Sequence, residues 1–349
     1  MARDPVMDVL REFVAVESTP DAGPRGILER AASEVRDLGL VPRIDRRLGT
    51  ITATHGRGGV LFNGHLDTVP IGSGWKVKTG TIRGGRLYGR GTADMKAGCV
   101  AALAAARELL KRDIAFSLLF TTDEETTMAA AKAVMATPLI RGASAVVVGE
   151  PSSLAPFVEE KGVYWFDAIA SGHAAHGSLP HLGESAILNA RHLLERIAPY
   201  SRPHDVLREL TINPGRIYGG TKTNVVADSC TVELDARYPA RMTPQTVRAK
   251  LRRLAGTDLR LVERHHVPAA RVNPRSRHVR LLATLGRSRA GAVTFATEMA
   301  WYSQHNPRCV IFGPGSPAQC HVANEFVPIA EVRRCARIYT AFAAEMASE

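Results

Sequence analysis

Two patterns of apolar residues run along the first part of the chain, and each predicts a different element. Apolar residues that return every three or four positions are typical of amphipathic helices, whereas short continuous apolar runs are typical of strands buried on both faces. The predicted helices cover 6–16, 25–39, 94–112 and 125–136. The predicted strands cover 42–45, 50–54, 59–65, 114–121 and 145–149. Strands that alternate with helices indicate an α/β domain with a mainly parallel sheet.

The pattern changes after about residue 162, where apolar and polar positions begin to alternate as in a half-exposed strand. The elements predicted there are a strand at 163–170, a helix at 184–198, strands at 209–218 and 228–237, a helix at 243–255 and a strand at 258–264. This β-α-β-β-α-β order resembles a ferredoxin-like α+β module inserted into the first domain.

The end of the chain returns to the first pattern. A helix from 276 onward, a strand at 309–312 and a final helix at 329–346 complete the first domain. The predicted division is therefore a first part of the main domain at 1–162, an inserted module at 163–272, and a second part of the main domain at 273–349.

Polar residues follow the predicted buried strands where each strand ends. They are His65 and Asp67, Glu124 and Glu125, Glu150, and His321, with Asp94 after a glycine-rich turn. The carboxyl ends of parallel strands meet at one edge of a sheet, so we expect these side chains to lie close together. Imidazole and carboxylate groups form a mixed ligand set that suits zinc or cobalt.

Each of these residues also has an ordinary interpretation when it is taken alone. A lone histidine such as His65 is more often a hydrogen-bonded core residue than a metal ligand. Glu124 and Glu125 together are typical of a solvated helix N-terminus, and Asp94 is a suitable N-cap. The combination favours a metal, because two adjacent glutamates after an apolar strand are costly to bury without a counter-charge.

The composition excludes several classes of protein. Of the 349 residues, 45% are hydrophobic and 23% are charged, which is typical of a globular protein and not of a disordered, collagen-like or coiled-coil chain. No apolar stretch predicts a membrane span, and the N-terminus does not resemble a secretory signal. The five cysteines are scattered without CxxC spacing, so we expect a reducing cytoplasm rather than disulfides or a cysteine zinc site.

The formal charge is +11, from 45 lysines and arginines against 34 aspartates and glutamates. Three interpretations are open: solvated surface arginines, attraction of an anionic small substrate, and nucleic-acid binding. The arginines are dispersed, and no basic run is interleaved with aromatic residues. We therefore expect no nucleic-acid partner.

Five motifs occur in order along nearly the whole chain. They are Gly64-His-Leu-Asp-Thr-Val-Pro70, Gly91-Thr-Ala-Asp-Met-Lys96, Thr122-Asp-Glu-Glu-Thr126, Gly149-Glu-Pro151 and Gly313-Pro-Gly-Ser316 with His321 beyond it. As a set they resemble the motifs of the di-zinc aminoacylase and carboxypeptidase family. That family includes acetylornithine deacetylase, succinyl-diaminopimelate desuccinylase and glutamate carboxypeptidase.

The resemblance implies a site for two divalent metal ions, Zn²⁺ or Co²⁺. The ligands that it implies are His65 and Glu150 for one ion, Glu125 and His321 for the other, and Asp94 between the two. It also implies that Asp67 orients the imidazole of His65, a support that metal-bound histidines generally need. Glu124 would be the general base that takes a proton from water and returns it to the leaving amine.

The resemblance further implies that the inserted module forms a homodimer. His176 would then reach the partner's active site and polarise the substrate carbonyl, while the nearby His173 and His181 are interpreted as turn or surface residues. Asn224 and Arg237 would contact the substrate, since an arginine fork suits a carboxylate. The backbone N–H groups of Gly313, Gly315 and Ser316 would face the same carboxylate, although a plain turn is the alternative.

The motifs are most similar to those of acetylornithine deacetylases, so we expect hydrolysis of N-acetylornithine to ornithine and acetate in arginine biosynthesis. The stretch Pro180-His-Leu-Gly-Glu-Ser185 is closer to succinyl-diaminopimelate desuccinylase, and a dipeptidase or carboxypeptidase of the same family also remains open. A non-catalytic binding protein on the same fold is the alternative from another class. It predicts the loss of a ligand or of the base, whereas the sequence retains them all.

Overall fold

The computed structural model describes residues 4–257 and 259–348, and the chain divides into two units. The first unit holds the chain up to Val158, the segment Val272–Gly291 and the chain from Thr297 onward. The second unit holds Glu159–Arg271 and Ala292–Ala296. The second unit thus begins at Glu159, where the sequence pattern predicts 163, and it includes a short segment that the pattern does not predict.

The strands and helices are introduced here in chain order. The strands are β1 (Arg43–Asp45), β2 (Thr50–His55), β3 (Val60–His65), β4 (Ile82–Arg83), β5 (Arg86–Tyr88), β6 (Phe116–Thr121), β7 (Val146–Val148), β8 (Phe157–Glu160), β9 (Gly162–Ser171), β10 (Thr211–Gly219), β11 (Ser229–Tyr238), β12 (Leu259–Val267), β13 (Ala270–Arg271), β14 (Gly291–Val293), β15 (Cys309–Ile311) and β16 (Phe326–Pro328). The α-helices are α1 (Pro5–Ala15), α2 (Arg25–Asp37), α3 (Ala97–Lys111), α4 (Ala129–Val134), α5 (Pro138–Arg141), α6 (Ala186–Ile197), α7 (Pro244–Ala255), α8 (Arg277–Gly286), α9 (Met299–Tyr302) and α10 (Ile329–Ala347).

Four parallel strands, in the order β6-β3-β7-β15, form the centre of the sheet in the first unit. β2 pairs antiparallel with β6, and β8 pairs antiparallel with β15. All six residues of β3 are buried, as expected for a strand that is covered on both faces. The α/β fold class with a mainly parallel sheet is therefore confirmed.

Amphipathic helices cover this sheet. In α1 the buried residues Met7, Leu10, Phe13 and Val14 recur at the helical spacing, which places them on one face. α3 is alanine-rich and packs against both α1 and α10. None of the helices in the described part of the chain combines the length and hydrophobicity that a membrane crossing requires.

The second unit contains an antiparallel sheet in the order β10-β11-β9-β12. Alternate residues of its strands pack against α6 and α7, as with Phe166 and Leu234 beside Leu193 and Leu251. The element order is the predicted β-α-β-β-α-β arrangement. Asp258, the first residue of the predicted strand 258–264, lies outside the described residues, and β12 continues to Val267.

Two predicted helices begin later than expected. The predicted helix 125–136 is replaced by a turn followed by α4 at Ala129, because the carbonyl and carboxylate of Asp123 accept the N–H groups of Thr127 and Ala130. The predicted helix 94–112 begins at Ala97, because Thr92–Lys96 forms a separate π-helical turn in which Asp94 is not helical.

The sequence pattern does not predict several of the short strands. β16, β5 and β4 form a small antiparallel sheet, and β8 pairs with β13. Each of these strands has only two to four residues, which is too short for a period of two to be recognised.

A buried lysine joins α1 to the turn before α3. The Nζ atom of Lys96 donates to the carbonyl oxygens of Phe13 and Val16, at 3.0 and 3.1 Å, at the end of α1. A cation at a helix C-terminus satisfies carbonyls that have no partner within the helix. Burial lowers the pKa of Lys96 to about 8. The turn that contains Asp94 is thereby fixed to the neighbouring helix.

The first turn of α3 approaches the end of β7 very closely. A Cβ atom built on Gly98 would lie 2.1 Å from the carbonyl oxygen of Gly149. Helix propensity alone favours alanine over glycine by about 1 kcal/mol. The contact with rigid backbone opposes this preference, because α3 must move away from the strand to accept a side chain.

We predict that Gly98→Ala destabilises the protein by about 1–3 kcal/mol, the usual cost of overpacking. Urea unfolding measures this change. The matched control is Gly72→Ala, because a Cβ atom at Gly72 meets nothing within 4 Å. A Gly98→Ala variant that is as stable as the wild type would show that the approach of α3 to β7 is not constrained.

Candidate metal centre

Seven polar residues meet at the carboxyl edge of the parallel strands in the first unit. Their positions follow from the topology. His65 ends β3, Asp67 lies just beyond it, Glu124 and Glu125 follow β6, Glu150 follows β7, Asp94 lies in the turn before α3, and His321 lies in the loop after β15. Because β6, β3 and β7 are adjacent and parallel, their ends lie at the same edge of the sheet.

The first set of possible metal ligands consists of His65, Asp94 and Glu150. The Nε2 atom of His65 lies 3.1 Å from Asp94 Oδ1 and 3.6 Å from Glu150 Oε1. All three residues are buried, and one ligand atom from each lies within 4.8 Å of the others. A single cation at the centre of this group would contact all three.

The second set consists of Asp94, Glu125 and His321. The Nε2 atom of His321 lies 3.2 Å from Asp94 Oδ2 and 3.0 Å from Glu125 Oε1. These ligand atoms also lie within 4.8 Å of one another. Asp94 therefore turns one carboxylate oxygen towards each set. That arrangement suits a carboxylate that bridges two ions.

Glu124 lies beside the first set, and its ligand atom also lies within 4.8 Å of those of His65 and Glu125. Its Oε2 atom is 4.0 Å from His65 Nε2, and 10% of its side chain is exposed. Burial raises the pKa of Glu124 well above its usual value, with His65 opposing this shift and Glu150 adding to it. A carboxylate with a raised pKa is suited to accept and release a proton near neutral pH.

The pKa shifts within the cluster indicate that its carboxylates need positive charge beside them. Burial likewise raises the pKa of Glu150, which lies beside both His65 and Asp94. Burial also acts to raise the pKa of Asp94, but hydrogen bonds from His321 and His65 outweigh it and hold this pKa well below its usual value. Hydrogen bonds with Asp94 and Glu125 raise the pKa of His321 to about 10.

The ligand set fits divalent cations. Among the described residues, no lysine or arginine forms an ion pair with Asp94, Glu124, Glu125 or Glu150, and their charge partners are the two histidines. A divalent ion would provide the positive charge and leave both imidazoles neutral, the form in which histidine binds metals. Two imidazoles with several carboxylates suit zinc and cobalt better than calcium or magnesium, which prefer oxygen ligands alone.

Asp67 connects two parts of the centre. The Nδ1 atom of His65 lies 3.0 Å from the carbonyl oxygen of Asp67 and 3.4 Å from its Oδ1 atom. The other carboxylate oxygen, Oδ2, accepts the backbone N–H of Glu125 at 3.0 Å. Asp67 thus positions the ring of His65 and the loop of Glu125 together.

Glu325 supports the centre and was not singled out from the sequence. Its carboxylate is fully buried and accepts the backbone N–H groups of Ala93 and Asp94, at 2.8 and 3.2 Å. Arg90 donates to its other oxygen at 2.7 Å. Glu325 therefore holds the turn that presents Asp94. Its position four residues after His321 is the only signal that the sequence offers.

A second supporting contact lies along β3. Asn63, two residues before His65, donates through Nδ2 to Glu298 Oε2 at 2.7 Å. The same amide nitrogen donates to the carbonyl oxygen of Leu119 on β6. Burial raises the pKa of Glu298 to about 7. The pair ties β3 to α9 and β6 beneath the metal ligands.

The loop predicted to bind a substrate carboxylate makes several hydrogen bonds within the protein. The N–H of Gly313 donates to Ser152 Oγ at 3.0 Å, and the N–H of Gly315 donates to Glu331 Oε2 at 2.9 Å. A substrate carboxylate at these two N–H groups would have to compete with the protein acceptors, so this contact stays a prediction. The hydroxyl of Ser316 accepts the N–H of Ala318, and a substrate contact of Ser316 stays a prediction.

The other three predicted site residues belong to the second unit. His176 is exposed, and its Nδ1 atom lies 2.7 Å from Ser178 Oγ. Asn224 is also exposed and lies near it, because its carbonyl oxygen accepts the N–H of Gly177. Arg237 is half-buried on β11 and forms a two-pronged hydrogen bond with Asp235, at 2.7 and 2.9 Å. A substrate carboxylate at Arg237 would have to compete with Asp235.

Comparison with known proteins shows which family the chain is similar to. Residues 61–345 match the model of the family described as Peptidase family M20/M25/M40. Acetylornithine deacetylase from Photorhabdus laumondii is 31% identical, over 93% of this chain and 92% of the relative. Acetylornithine deacetylase from Klebsiella pneumoniae is 30% identical, over 93% of each chain.

Solved structures show the same fold. The aminopeptidase PepT from Bacillus cereus superimposes with a TM-score of 0.80 at 22% identity, covering 98% of each chain. An M20 family metallo-carboxypeptidase from Sulfolobus solfataricus gives a TM-score of 0.81 at 17% identity, covering 99% of this chain and 100% of that one. A dinuclear metal-binding peptidase of the M20 family from Bacillus subtilis gives 0.73 at 14% identity, covering 98% of each.

We predict that Glu325→Gln weakens zinc binding about 10- to 100-fold, as is typical when a residue that supports metal ligands is changed. An amide has one acceptor oxygen in place of two, so it cannot hold both the turn of Asp94 and Arg90. Competition with a chromogenic chelator measures the affinity. The control is Glu331→Gln, which alters a carboxylate that holds Gly315 instead. Equal affinities in the Glu325→Gln variant and the wild type would contradict the supporting role.

Proposed function

Because this chain belongs to Peptidase family M20/M25/M40, we propose that it is a metal-dependent amidohydrolase that removes the acyl group from an N-acyl amino acid. N-acetylornithine is the proposed substrate, and ornithine and acetate are the products. The observation that carries the proposal is Asp94, which faces two ligand sets at once, with Glu124 beside them. Relatives of about 30% identity over most of the chain are acetylornithine deacetylases.

Two zinc or cobalt ions are the proposed cofactors. His65 and Glu150 would hold one ion, Glu125 and His321 the other, and Asp94 both. When bound, the ions would supply Lewis acidity, which activates water and polarises the scissile carbonyl. Asp67 would keep the imidazole of His65 and the loop of Glu125 in position for this task.

Glu124 carries the proton in the proposed reaction. Its carboxylate takes a proton from the attacking water and delivers it to the nitrogen of the leaving amine, so that the amine departs in neutral form. The raised pKa of Glu124 supports both halves of this transfer, because a very weak base would not accept the proton. The acyl group is released as its acid, which loses the second proton of the water to solvent, so the products are a carboxylate and the free amino acid.

The second unit is proposed to form a homodimer. Its edge strand β10 exposes Ile217 and Tyr218, and the start of α6 exposes Ile187 and Leu188. An edge strand with exposed apolar residues is typical of a surface that pairs with another chain. In the dimer His176 would act on the partner's substrate as a hydrogen-bond donor to the carbonyl oxygen. Asn224, and Arg237 after release from Asp235, would bind the rest of the substrate.

The choice of substrate separates this proposal from its alternatives. Succinyl-diaminopimelate desuccinylase and a dipeptidase or carboxypeptidase would use the same metal ligands and base. A non-catalytic protein on this fold is disfavoured, since every ligand and the base are present and gathered together. With N-acetylornithine as substrate the enzyme would serve arginine biosynthesis. Its five free cysteines agree with work in the reducing cytoplasm.

We expect the zinc- or cobalt-loaded protein to hydrolyse N-acetylornithine in preference to N-succinyl-diaminopimelate and dipeptides. Release of the free amine from each compound measures this preference, with chelator-treated protein as the control. Preferred cleavage of the succinyl compound or of a dipeptide would replace the proposed substrate. No cleavage of any compound by the metal-loaded protein would contradict the enzyme proposal.

Glu124→Gln is expected to lower kcat by at least about 100-fold, because the amide cannot carry the proton. Its metal content should equal that of the wild type, since Glu124 is not one of the five proposed ligands. Steady-state kinetics and elemental analysis of the same sample test both statements. Loss of metal in this variant would assign Glu124 to the ligand set instead.

His176→Ala is expected to lower kcat about 100-fold or more, the usual effect of removing a donor to a developing oxyanion. The metal content and the dimer should not change. His181→Ala is the matched control, because His181 is also exposed in the second unit and has no proposed role. Equal activity of the two variants would remove His176 from the mechanism.

A further inference from the structure

A separate cavity opens in the first unit between α1, α2, α3 and α10, and none of the proposed metal ligands lines it. Its volume is about 350 Å³. That is near the lower end of the range for small-molecule sites, roughly 300–1,000 Å³. The cavity therefore fits one small ligand and is too small for a peptide helix.

Apolar side chains from three helices form most of the wall. The residues are Val6 and Val9 from α1, Val100, Leu103 and Ala104 from α3, and Ala336 from α10, with Leu38 at the end of α2. Val100 and Leu103 are buried in the core, so this part of the wall is held in place. A wall of this kind favours an alkyl or aromatic group.

Three carboxylates and three arginines line the cavity, and they are not all paired with one another. Its three carboxylates each have a basic partner. The pairs are Asp4 with Arg333, Glu34 with Arg30, and Glu108 with Lys111. Two further arginines, Arg107 on α3 and Arg337 on α10, line the cavity and form no ion pair or hydrogen bond with the described residues. The free charge at the cavity is therefore two guanidinium groups.

Two guanidinium groups without ion-pair partners beside an apolar wall favour an anionic ligand. Arginine presents its N–H groups in a fork that matches a carboxylate, and it is more weakly hydrated than lysine. The three carboxylates of the lining form their ion pairs with other basic residues, and Glu108 also interacts electrostatically with Arg107. The wall and the free charges together select a ligand that has an apolar chain and a negative head.

We propose that this cavity binds a small amphipathic carboxylate, with its apolar chain on α1, α3 and α10 and its carboxylate at Arg107 and Arg337. The proposal does not depend on the proposed reaction, because it involves a different surface of the same unit. Decanoate, a medium-chain fatty-acid anion, is the probe for the test.

Isothermal titration of decanoate into the metal-loaded full-length protein tests the proposal, at concentrations below those at which decanoate forms micelles. We expect saturable binding of one decanoate per chain. The double variant Arg107→Gln with Arg337→Gln should weaken it at least tenfold. Arg36→Gln is the matched control, because Arg36 is an exposed arginine on α2 that does not line the cavity. Absence of binding to the wild type would overturn the proposal.

A second variant tests the apolar wall without changing either arginine. Ala104→Phe places a large side chain in the cavity and should abolish decanoate binding, while circular dichroism checks that the variant is folded. Decanol should bind at least tenfold more weakly than decanoate. Decanoate binding that survives Ala104→Phe in the folded protein would assign the ligand to another place, such as the metal centre. Equal binding of decanol would remove the role of the arginines, and either result would overturn the proposal.

Discussion

Buried carboxylates that lie close together require positive charge beside them. This requirement determines which groups can surround the candidate metal centre of the first unit. Asp94 and Glu150 are buried, and the side chains of Glu124 and Glu125 are only 10% and 8% exposed. An isolated buried carboxylate costs several kcal/mol. The described residues offer only two imidazoles in response. Divalent ions at the two ligand sets would remove this cost, so we expect metal binding and the stability of this sheet edge to be coupled.

The supports around the centre can be understood from this requirement. Asp94 faces both ligand sets only if its turn is fixed, and three contacts from distant parts of the chain fix it. Glu325 holds the backbone N–H groups of the turn, Lys96 ties it to the end of α1, and Gly98 lets α3 approach β7. Each contact uses a buried charge or a missing side chain. We therefore expect the strength of metal binding to depend also on residues outside the two ligand sets.

Much of this arrangement was predictable because it follows from periodic patterns. The buried runs of β3, β6 and β7 gave the parallel sheet, and a polar residue after each run gave His65, Glu125 and Glu150. The rest depends on hydrogen bonds between distant segments, which leave no period in a sequence. For example, the hydrogen bond from the N–H of Ala130 to Asp123 helps to hold the turn before α4, so that this helix begins only at Ala129. The N–H groups of Gly313 and Gly315 donate to Ser152 and Glu331. No local sequence pattern predicts these hydrogen bonds.

We propose that two cations share Asp94. The most direct test of this proposal is the number of zinc ions that the dialysed, metal-free protein binds per chain, measured by titration with elemental analysis at saturation. The account predicts two ions in the wild type, and loss of affinity at both positions in Asp94→Ala. Saturation at a single ion per chain, or an Asp94→Ala variant that still binds two ions with wild-type affinity, would contradict it.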